Sequence, residues 1–328
     1  MCSKNNVKRN EVIIKSMSIY LVLIFSLLFT VSCVTENDDE SIPEQRDDDG
    51  IVLNIPLNGS LQNPAFSPNG ESFVFTRFIN GYNLDPAEIY EYDLSSEQLT
   101  LLVSDGSGNI NLPGSSWNNN KIIFASTREP HDEIYLISEN GEPGDEIQIT
   151  DRPNKVAYEP TLSPDGEWTV FESHVLDEED NGIITKYKID GSSQYVELTA
   201  HEDDCRQPNW SPNGDKILYQ KQENDQWNIW IMNTDGTDEI QVTSNIGNCT
   251  DASFSGDGQF IVFSSDFDVD IANIYKITSD GNELTKLTNF AGYDGAVSIS
   301  SDNSKLVFES INDDPDECSG TKIVLLDL

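Results

Sequence analysis

The stretch NPAFSPNGESFVF, residues 63–75, recurs along the chain and decides the fold. Its copies share a polar start, a Ser-Pro-Asn/Asp-Gly centre and an aromatic end. Clear copies are EPTLSPDGEWTVF from Glu159, QPNWSPNGDKILY from Gln207 and DASFSGDGQFIVF from Asp251, and degenerate copies are LPGSSWNNNKIIF from Leu112 and AVSISSDNSKLVF from Ala296. Successive copies are separated by steps of 49, 47, 48, 44 and 45 residues. That period is typical of a β-propeller blade or a similar array.

The centre of each copy has the composition of a tight hairpin turn. Pro68 presets φ for the first central position, and Gly70 supplies a residue in the left-handed region. In the sixth copy Asn303 stands in the glycine position, and Asn is the next best residue at positive φ. Each copy therefore predicts two antiparallel strands, A and B, joined by this turn.

Two further strands, C and D, follow in most units. Strand C carries Ile followed by an aromatic residue, as in Ile89-Tyr90 and Ile274-Tyr275, and strand D ends in a Thr, as at Thr150. Turn pairs such as Asp280-Gly281 separate the two strands. No long helical period appears after residue 50, so we predict an all-β chain of six four-stranded blades.

The two ends of the repeat region complement one another. The chain stops at TKIVLLDL, a strand C without a following D, while IVLNIPL from Ile51 precedes the first strand A. Pairing these segments would complete blade six from both termini and remove two exposed sheet edges. We predict a closed six-bladed β-propeller over residues 51–328, with ring closure by the N-terminal strand.

The pattern P-x-W-S-P-D-G-x-x-I-x-F, followed by I-Y and D-G, resembles the WD40-like PD40 repeats of TolB-type β-propellers. The resemblance covers residues 51–328. TolB proteins carry an additional N-terminal α/β domain, whereas only an acidic stretch precedes the first strand here. Similar repeats occur in dipeptidyl-peptidase-like and oligogalacturonate-lyase-like propellers, but this sequence has no G-x-S-x-G motif, and its three histidines form no H-x-H pair.

The N-terminus has the pattern of an export signal. A basic stretch precedes an apolar run from Ile19 to Val31, which is too short for a comfortable membrane span. The run ends in TVSC, which resembles the lipobox of bacterial lipoproteins. We predict that residues 1–33 are a lipoprotein signal peptide ending at Cys33, the lipidated residue; the alternative is an ordinary cleaved signal with an incidental Cys.

Residues 34–50 are acidic and polar and predict a flexible tether. Acidic residues soon after a lipidated Cys also resemble a tag for export to the cell surface. The expected location is therefore the outer membrane, as a periplasmic or surface-exposed lipoprotein.

The net charge of -39 argues against a nucleic-acid partner. Residues 1–33 carry +3 and residues 34–50 carry -7, so -35 belongs to the repeat region. In a four-stranded blade the B-to-C and D-to-A connections emerge on one face, the loop face, and the other connections form the turn face. Because the loops are rich in Asp and Glu, we predict a negative field on the loop face that attracts a basic partner or calcium; the alternative is a solvated rim.

Candidate metal ligands lie in these loops. Calcium, the one cofactor that the sequence suggests, would take Asp266, Asp268 and Asp270, although the glycine and glutamate of an EF-hand loop are missing. A transition metal would take His131, His174 and His201 beside Asp132, Glu172 or Asp203; the alternative is that these are plain surface residues.

Aromatic and cysteine residues suggest two more features. Tyr82, Tyr158 and Tyr293 are predicted to form a platform for a sugar ring or a peptide, or else to pack the loops onto the blades. Cys205 and Cys249 hold equivalent positions in adjacent inner strands, and a disulfide between them would staple blades four and five.

Taken together, these patterns predict an exported, lipid-anchored and monomeric propeller that binds an envelope protein or a glycan. We assign no catalytic residues. The competing prediction is a metal-assisted carbohydrate-active enzyme, similar to the oligogalacturonate lyases, which would work from the loop face.

Overall fold

The structure is a computed structural model. It describes residues 46, 48, 50–104, 110–112, 116–128, 131–176, 181–192, 194–268, 271–311 and 320–328. In these ranges the chain forms 25 strands, and no helix long and apolar enough to cross a membrane is found. Residues 1–45, which hold the predicted signal and Cys33, lie outside the described residues.

The strands alternate with short connections along the whole described chain. The first three blades contain β2 (Ser60–Phe66), β3 (Ser72–Phe78), β4 (Ala87–Asp93) and β5 (Leu99–Ser104); β6 (Ile110–Asn111), β7 (Trp117–Asn118), β8 (Lys121–Ser126), β9 (Glu133–Ser138) and β10 (Ile147–Gln148); and β11 (Lys155–Leu162), β12 (Trp168–Val175), β13 (Ile183–Lys188) and β14 (Tyr195–Glu197).

The last three blades follow the same order. They contain β15 (Asp204–Trp210), β16 (Lys216–Glu223), β17 (Gln226–Asn233) and β18 (Ile240–Gln241); β19 (Cys249–Phe254), β20 (Phe260–Ser265), β21 (Asn273–Thr278) and β22 (Thr285–Lys286); and β23 (Tyr293–Ile299), β24 (Lys305–Ile311), β25 (Lys322–Asp327) and β1 (Ile51–Val52). Each sheet is antiparallel, and strand A lies innermost. The predicted six-bladed all-β propeller is confirmed.

The ring closes between the two ends of the repeat region. Strand β1 pairs with β25, with Ile51 opposite Leu325 and Val52 opposite Val324, and the N–H of Leu53 donates to the carbonyl of Ile323 at 2.9 Å. After Leu53 the chain continues in tight turns rather than as a strand. Closure by the N-terminal strand is confirmed, although that strand is shorter than IVLNIPL.

A side-chain network explains why the Ser-Pro-Asp-Gly turn recurs. In blade three the Ser163 hydroxyl donates to Asp165 and accepts the N–H of Trp168, while Asp165 Oδ1 accepts the N–H of Glu167. Gly166 has a φ of 70°, a value that Asn303 approaches with 63° in blade six. The turn is thus fixed by local hydrogen bonds, which do not depend on the rest of the ring.

The core lies between neighbouring blades. Its centre is the strand-B aromatic of each blade, fully buried in every case, at Phe75, Phe124, Phe171, Tyr219, Phe263 and Phe308. Several of these rings stack on a strand-C tyrosine, for example Phe124 on Tyr135 with 5.8 Å between centroids. Phe124 and Tyr135 belong to strands B and C of the same blade, and they share a core cluster with Ala65 and Val74 of the preceding blade.

The predicted disulfide does not form in the structure. Cys205 and Cys249 are free and fully buried, and burial raises the pKa of their thiols to about 12 and about 11. Each thiol lies in its own inter-blade core cluster, Cys205 with Tyr219 and Cys249 with Phe263. The side chains packed between adjacent blades separate the equivalent positions of those blades. Cys205 and Cys249 therefore hold the same place in their strands, but their sulfur atoms are not bonded.

The predicted boundary at Ile51 also needs correction. Arg46 and Asp48, which were assigned to the flexible tether, pack on blades five and six, and only 6% of Arg46 is exposed. The packed unit therefore includes the end of the acidic stretch.

Candidate functional site

A β-bulge interrupts the inner strand of five blades at the same place. The pairing of strands A and B shifts register immediately before or around the first residue of the repeated motif. The bulged residues all have φ between 48° and 52°, and they are Asn63, Glu159, Gln207, Asp251 and Ala296. A bulge re-aims a side chain relative to its strand. These five residues line one narrow cavity at the centre of the ring, which we call the channel.

Neighbouring members of this ring bind one another. Gln207 Nε2 donates to Asp251 Oδ1 at 2.7 Å, and the Asp251 N–H donates back to Gln207 Oε1 at 3.0 Å. The reciprocal pair joins blades four and five. Asp251 is thus a structural member of the channel wall.

Two buried carboxylates lie beside the channel on opposite blades. Glu172 in blade three and Glu309 in blade six each follow the strand-B aromatic, and 5% and 2% of these residues are exposed. Glu172 accepts the N–H of Gln207 at 3.2 Å, and Glu309 accepts the N–H of Asn63 at 3.1 Å. Each carboxylate therefore holds the bulge of the following blade, which gives the channel an approximate two-fold relation.

Polar atoms at the same position in other blades have no hydrogen-bond partner among the described residues. The Thr76 and Ser264 hydroxyls and the Gln220 amide oxygen are buried and accept or donate no hydrogen bond. Buried polar groups are normally satisfied by protein or by water. The level of the channel that holds Glu172 and Glu309 is therefore suited to water or to a polar ligand.

His174 belongs to this site rather than to the open surface. Its Nε2 lies 2.6 Å from Glu172 Oε1, and only 4% of the residue is exposed. The ring of Tyr158 packs edge-on against the imidazole, with 5.8 Å between centroids. Tyr158 also hydrogen-bonds Asp132, whose carboxyl pKa is raised to about 7 because burial disfavours the charged form more than Tyr158 favours it.

The opposite half of the channel carries the other two predicted tyrosines. The Tyr82 hydroxyl donates to Glu309 Oε1 at 3.4 Å. The Tyr293 hydroxyl folds over Gly295, where a β-carbon would lie 1.9 Å from it. Gly295 lies opposite Glu309 in the pairing of strands A and B, just as Tyr158 lies opposite Glu172. A tyrosine phenol therefore accompanies the carboxylate in blade six as well as in blade three. The structure thus places Tyr82, Tyr158 and Tyr293 around the two glutamates.

The three histidines do not meet. His131 Nε2 lies 3.0 Å from the Arg152 carbonyl and 3.2 Å from Glu133, and the exposed His201 lies 3.0 Å from Glu197. In the described part of the chain no three His, Cys, Asp or Glu side chains come together as a metal-binding group. A shared site for His131, His174 and His201 is therefore not assembled.

The calcium candidate remains a prediction, because Asp270 lies outside the described residues. Asp266 accepts hydrogen bonds from the N–H and the side chain of Asn248, and Asp268 accepts one from the Tyr275 hydroxyl at 3.0 Å. Lys286 lies 3.5 Å from Asp268. These two carboxylates therefore already have partners.

Negative charge is not confined to the loop face. Several loop carboxylates are paired, Asp203 with Lys221 and Asp204 with Arg206, while others lie outside the described residues. The turn face is also strongly acidic. Its exposed carboxylates include Glu71, Glu97, Glu142, Asp165, Glu167, Asp190, Asp235, Asp257, Asp280 and Asp302. Many of them accept backbone N–H groups within their own turns, which the Asp-Gly pattern already indicated.

Sequence reasoning missed Glu309 and the role of the bulge residues, and it considered Glu172 only as a carboxylate near the histidines. A signal was available, since Asn63, Glu159, Gln207 and Asp251 all open a copy of the repeat, and a polar residue follows the strand-B aromatic in most copies. Nothing in one repeat, however, reveals that these positions face a common axis.

A closed ring of six four-stranded blades around a bulge-lined channel defines a β-propeller. The family model described as the TolB beta propeller domain, PD40, matches residues 52–226 and 191–323, and the chain belongs to that family. The resemblance inferred from the repeat is confirmed.

Individual relatives agree with this assignment. A Protein TolB homolog from Chlorobium luteolum is 29% identical over 144 residues, which is 44% of this chain and 31% of the relative. The structure of a putative TolB from Agrobacterium tumefaciens covers 82% of this chain and 90% of its own, with a TM-score of 0.58 and 19% identity. An oligogalacturonate lyase from Vibrio parahaemolyticus covers 81% and 76%, with a TM-score of 0.52 and 14% identity.

The structural likenesses concern the fold alone, because their identities are low. The chain spans 31% of the length of the Chlorobium luteolum relative.

Proposed function

We propose that this protein is an exported, lipid-anchored and non-catalytic binding module of the cell envelope, which receives its partner at the loop-face mouth of the channel. The observation that carries the proposal is the pair Glu172 and Glu309, two buried carboxylates on opposite blades, each accompanied by a tyrosine. An outer-membrane location, periplasmic or surface-exposed, accords with the N-terminal pattern and with relatives named TolB.

The site is preorganised for a cationic group. Each glutamate is held by a backbone N–H of the next blade, so little side-chain freedom is lost when a ligand binds. Burial strengthens the attraction between the carboxylates and a positive charge. A lysine or arginine of an envelope protein fits this environment, and the tyrosine rings would cover its aliphatic part.

A glycan is the second ligand class that the tyrosines accommodate, because their faces can stack on a sugar ring. The alternative of a metal-assisted lyase requires converging metal ligands. Since His131, His174 and His201 contact different carboxylates, the geometry favours binding over metal-assisted catalysis.

The test uses the mature lipidated protein in detergent, a set of labelled basic peptides and a glycan panel, with affinity read by fluorescence anisotropy. Glu309→Gln and Glu172→Gln keep the side-chain shape and remove the charge. Each is expected to weaken binding of a basic peptide about 10- to 100-fold, the range for a charge-assisted hydrogen bond.

Glu97→Gln, on the exposed turn face, removes the same charge away from the channel and should change affinity less than about two-fold. Equal losses of peptide affinity in all three variants would mean that binding depends only on the net charge of the protein. That result would refute the channel as the binding site. Binding of uncharged glycans alone, unaffected by the glutamates, would replace the basic partner with a sugar.

A further inference from the structure

Two large apolar side chains lie exposed in one turn of blade one. The connection between β3 and β4 carries Tyr82 and Leu84, and 40% and 55% of these residues are exposed. A single exposed apolar residue is ordinary on a protein surface. These two belong together, because the turn that carries them also contacts the buried Glu309 of blade six.

Backbone hydrogen bonds fix the shape of this turn. The Leu84 N–H donates to the Gly81 carbonyl at 3.1 Å, and the Ile79 N–H donates to the Pro86 carbonyl at 3.0 Å across the base of the connection. A β-carbon placed on Gly81 would lie 3.5 Å from Leu84 Cδ1, so the Leu84 side chain lies next to the residue that precedes Tyr82. The backbone that carries both side chains is therefore ordered before a ligand arrives, which lowers the entropy lost on binding.

Tyr82 joins the apolar turn to the channel. Its hydroxyl donates to Glu309 Oε1 at 3.4 Å, while Glu309 Oε2 accepts the N–H of Asn63 at 3.1 Å. Only 2% of Glu309 is exposed, whereas Tyr82 is half-exposed. A cation that approaches Glu309 from the side of blade one therefore meets the Tyr82 ring first.

A buried carboxylate beside an exposed leucine fits one class of ligand. A lysine or arginine carries a charge for Glu309 and an aliphatic stem that packs on the Tyr82 ring. Leu84 adds a surface without hydrogen-bonding groups, on which an apolar side chain is removed from water. A neutral sugar has hydroxyl groups around its ring and no cation, so the pair Leu84 and Glu309 fits a peptide better than a glycan.

We propose that Tyr82, Leu84 and Glu309 form one recognition surface, which binds a protein segment whose lysine or arginine stands next to an apolar side chain. The Tyr82 ring turns aside to admit the cation to Glu309 and then covers its aliphatic stem, while the neighbouring apolar side chain packs on Leu84. This inference rests on the proposed function and identifies the partner as a protein rather than a glycan.

The test compares short fluorescently labelled peptides that carry a central lysine in a glycine-serine background. One peptide has leucine on both sides of the lysine, and another has serine there. A third peptide keeps the leucines but has glutamine in place of the lysine. Affinity for the mature lipidated protein in detergent is read by fluorescence anisotropy, with protein-free micelles as the blank.

The leucine peptide is expected to bind wild type about 5- to 10-fold more tightly than the serine peptide, because a leucine loses part of its exposed apolar area on Leu84. Leu84→Gln keeps the length of the side chain, removes its apolar character and should abolish that preference. Ile240→Gln makes the matched change on the outer strand β18, where 55% of the residue is likewise exposed, and should keep it. Glu309→Gln should weaken both lysine peptides, and the glutamine peptide should bind wild type at least about 10-fold more weakly than the leucine peptide.

Equal affinities of the leucine and serine peptides for wild type, or a leucine preference that survives in Leu84→Gln, would refute the recognition surface. If Glu309→Gln still weakens both lysine peptides in that case, the proposed function stands without it. If Glu309→Gln weakens neither lysine peptide, the proposed function itself fails. Tight binding of the glutamine peptide would show that the apolar turn acts without the carboxylate and would overturn their joint role. Leu84→Ala serves as the second variant if Leu84→Gln fails to fold.

Discussion

The substitution Arg46→Ala tests the most unexpected contact in the molecule. Arg46 is the cation that neutralises Asp294, a residue with no exposed surface, and it also binds Asp48 and Ser310. Removing one partner of a buried ion pair leaves an uncompensated charge and typically costs about 3–5 kcal/mol. We expect the free energy of unfolding at pH 7 to fall by about that amount, and Tm to fall by about 6–10 °C.

The loss should depend on pH in a defined direction. Burial raises the pKa of the Asp294 carboxyl, and Arg46 opposes that rise. Without Arg46 the pKa of Asp294 in the folded state rises further above its unfolded value. Because the folded variant then binds more protons than the unfolded chain, its stability falls as pH rises through that interval. The difference between wild type and Arg46→Ala should therefore be largest near neutral pH and smaller below about pH 4.

The assay is urea unfolding followed by tryptophan fluorescence at several pH values. Asp294→Asn combined with Arg46→Ala should recover part of the loss, since no buried charge is then left unpaired. A loss below about 1 kcal/mol at pH 7, or a loss that does not change with pH, would show that Arg46 is not the counter-charge of Asp294.

Three more outcomes follow from individual contacts. Gly295→Ala places a methyl group against the Tyr293 hydroxyl and should cost about 1–3 kcal/mol in chemical denaturation; a cost below about 0.5 kcal/mol would show that the Tyr293 ring turns aside without loss. Cys205 and Cys249 should react with a thiol reagent only after unfolding; fast reaction of the native protein would contradict their burial. Asp132→Asn should be more stable than wild type above pH 7, because wild type then carries a charged Asp132 carboxylate in a partly buried place. The gain in stability should vanish below about pH 4, where the carboxyl is protonated in both the folded and the unfolded state. A gain of equal size at all pH values would indicate a packing effect instead.

The blades could be predicted because their determinants are local. The turn around Gly166 is fixed by hydrogen bonds within six residues, and the strand-B aromatic recurs at a period that fits one blade. Closure by Ile51 and the last strand was also predictable, because an incomplete unit at one end and an extra strand at the other leave few ways to satisfy both edges.

The candidate site was predicted only in part. The order of the connections predicts that Tyr82, Tyr158 and Tyr293 share one face, but their association with Glu172 and Glu309 depends on two blades meeting across an axis. The predicted disulfide failed for a related reason. Equivalence in sequence fixes the register of two cysteines within their blades, whereas the distance between their sulfurs is set by the side chains packed between those blades.

The sequence by itself determined the repeat, the strand order, the turn chemistry and the ring, since each follows from patterns a few residues long. Only the tertiary structure decided which side chains share the channel and where the acidic N-terminal stretch ends. Arg46 shows the physical reason most directly: its partner Asp294 is 248 positions away, and the pocket that it fills exists only once blade six has closed.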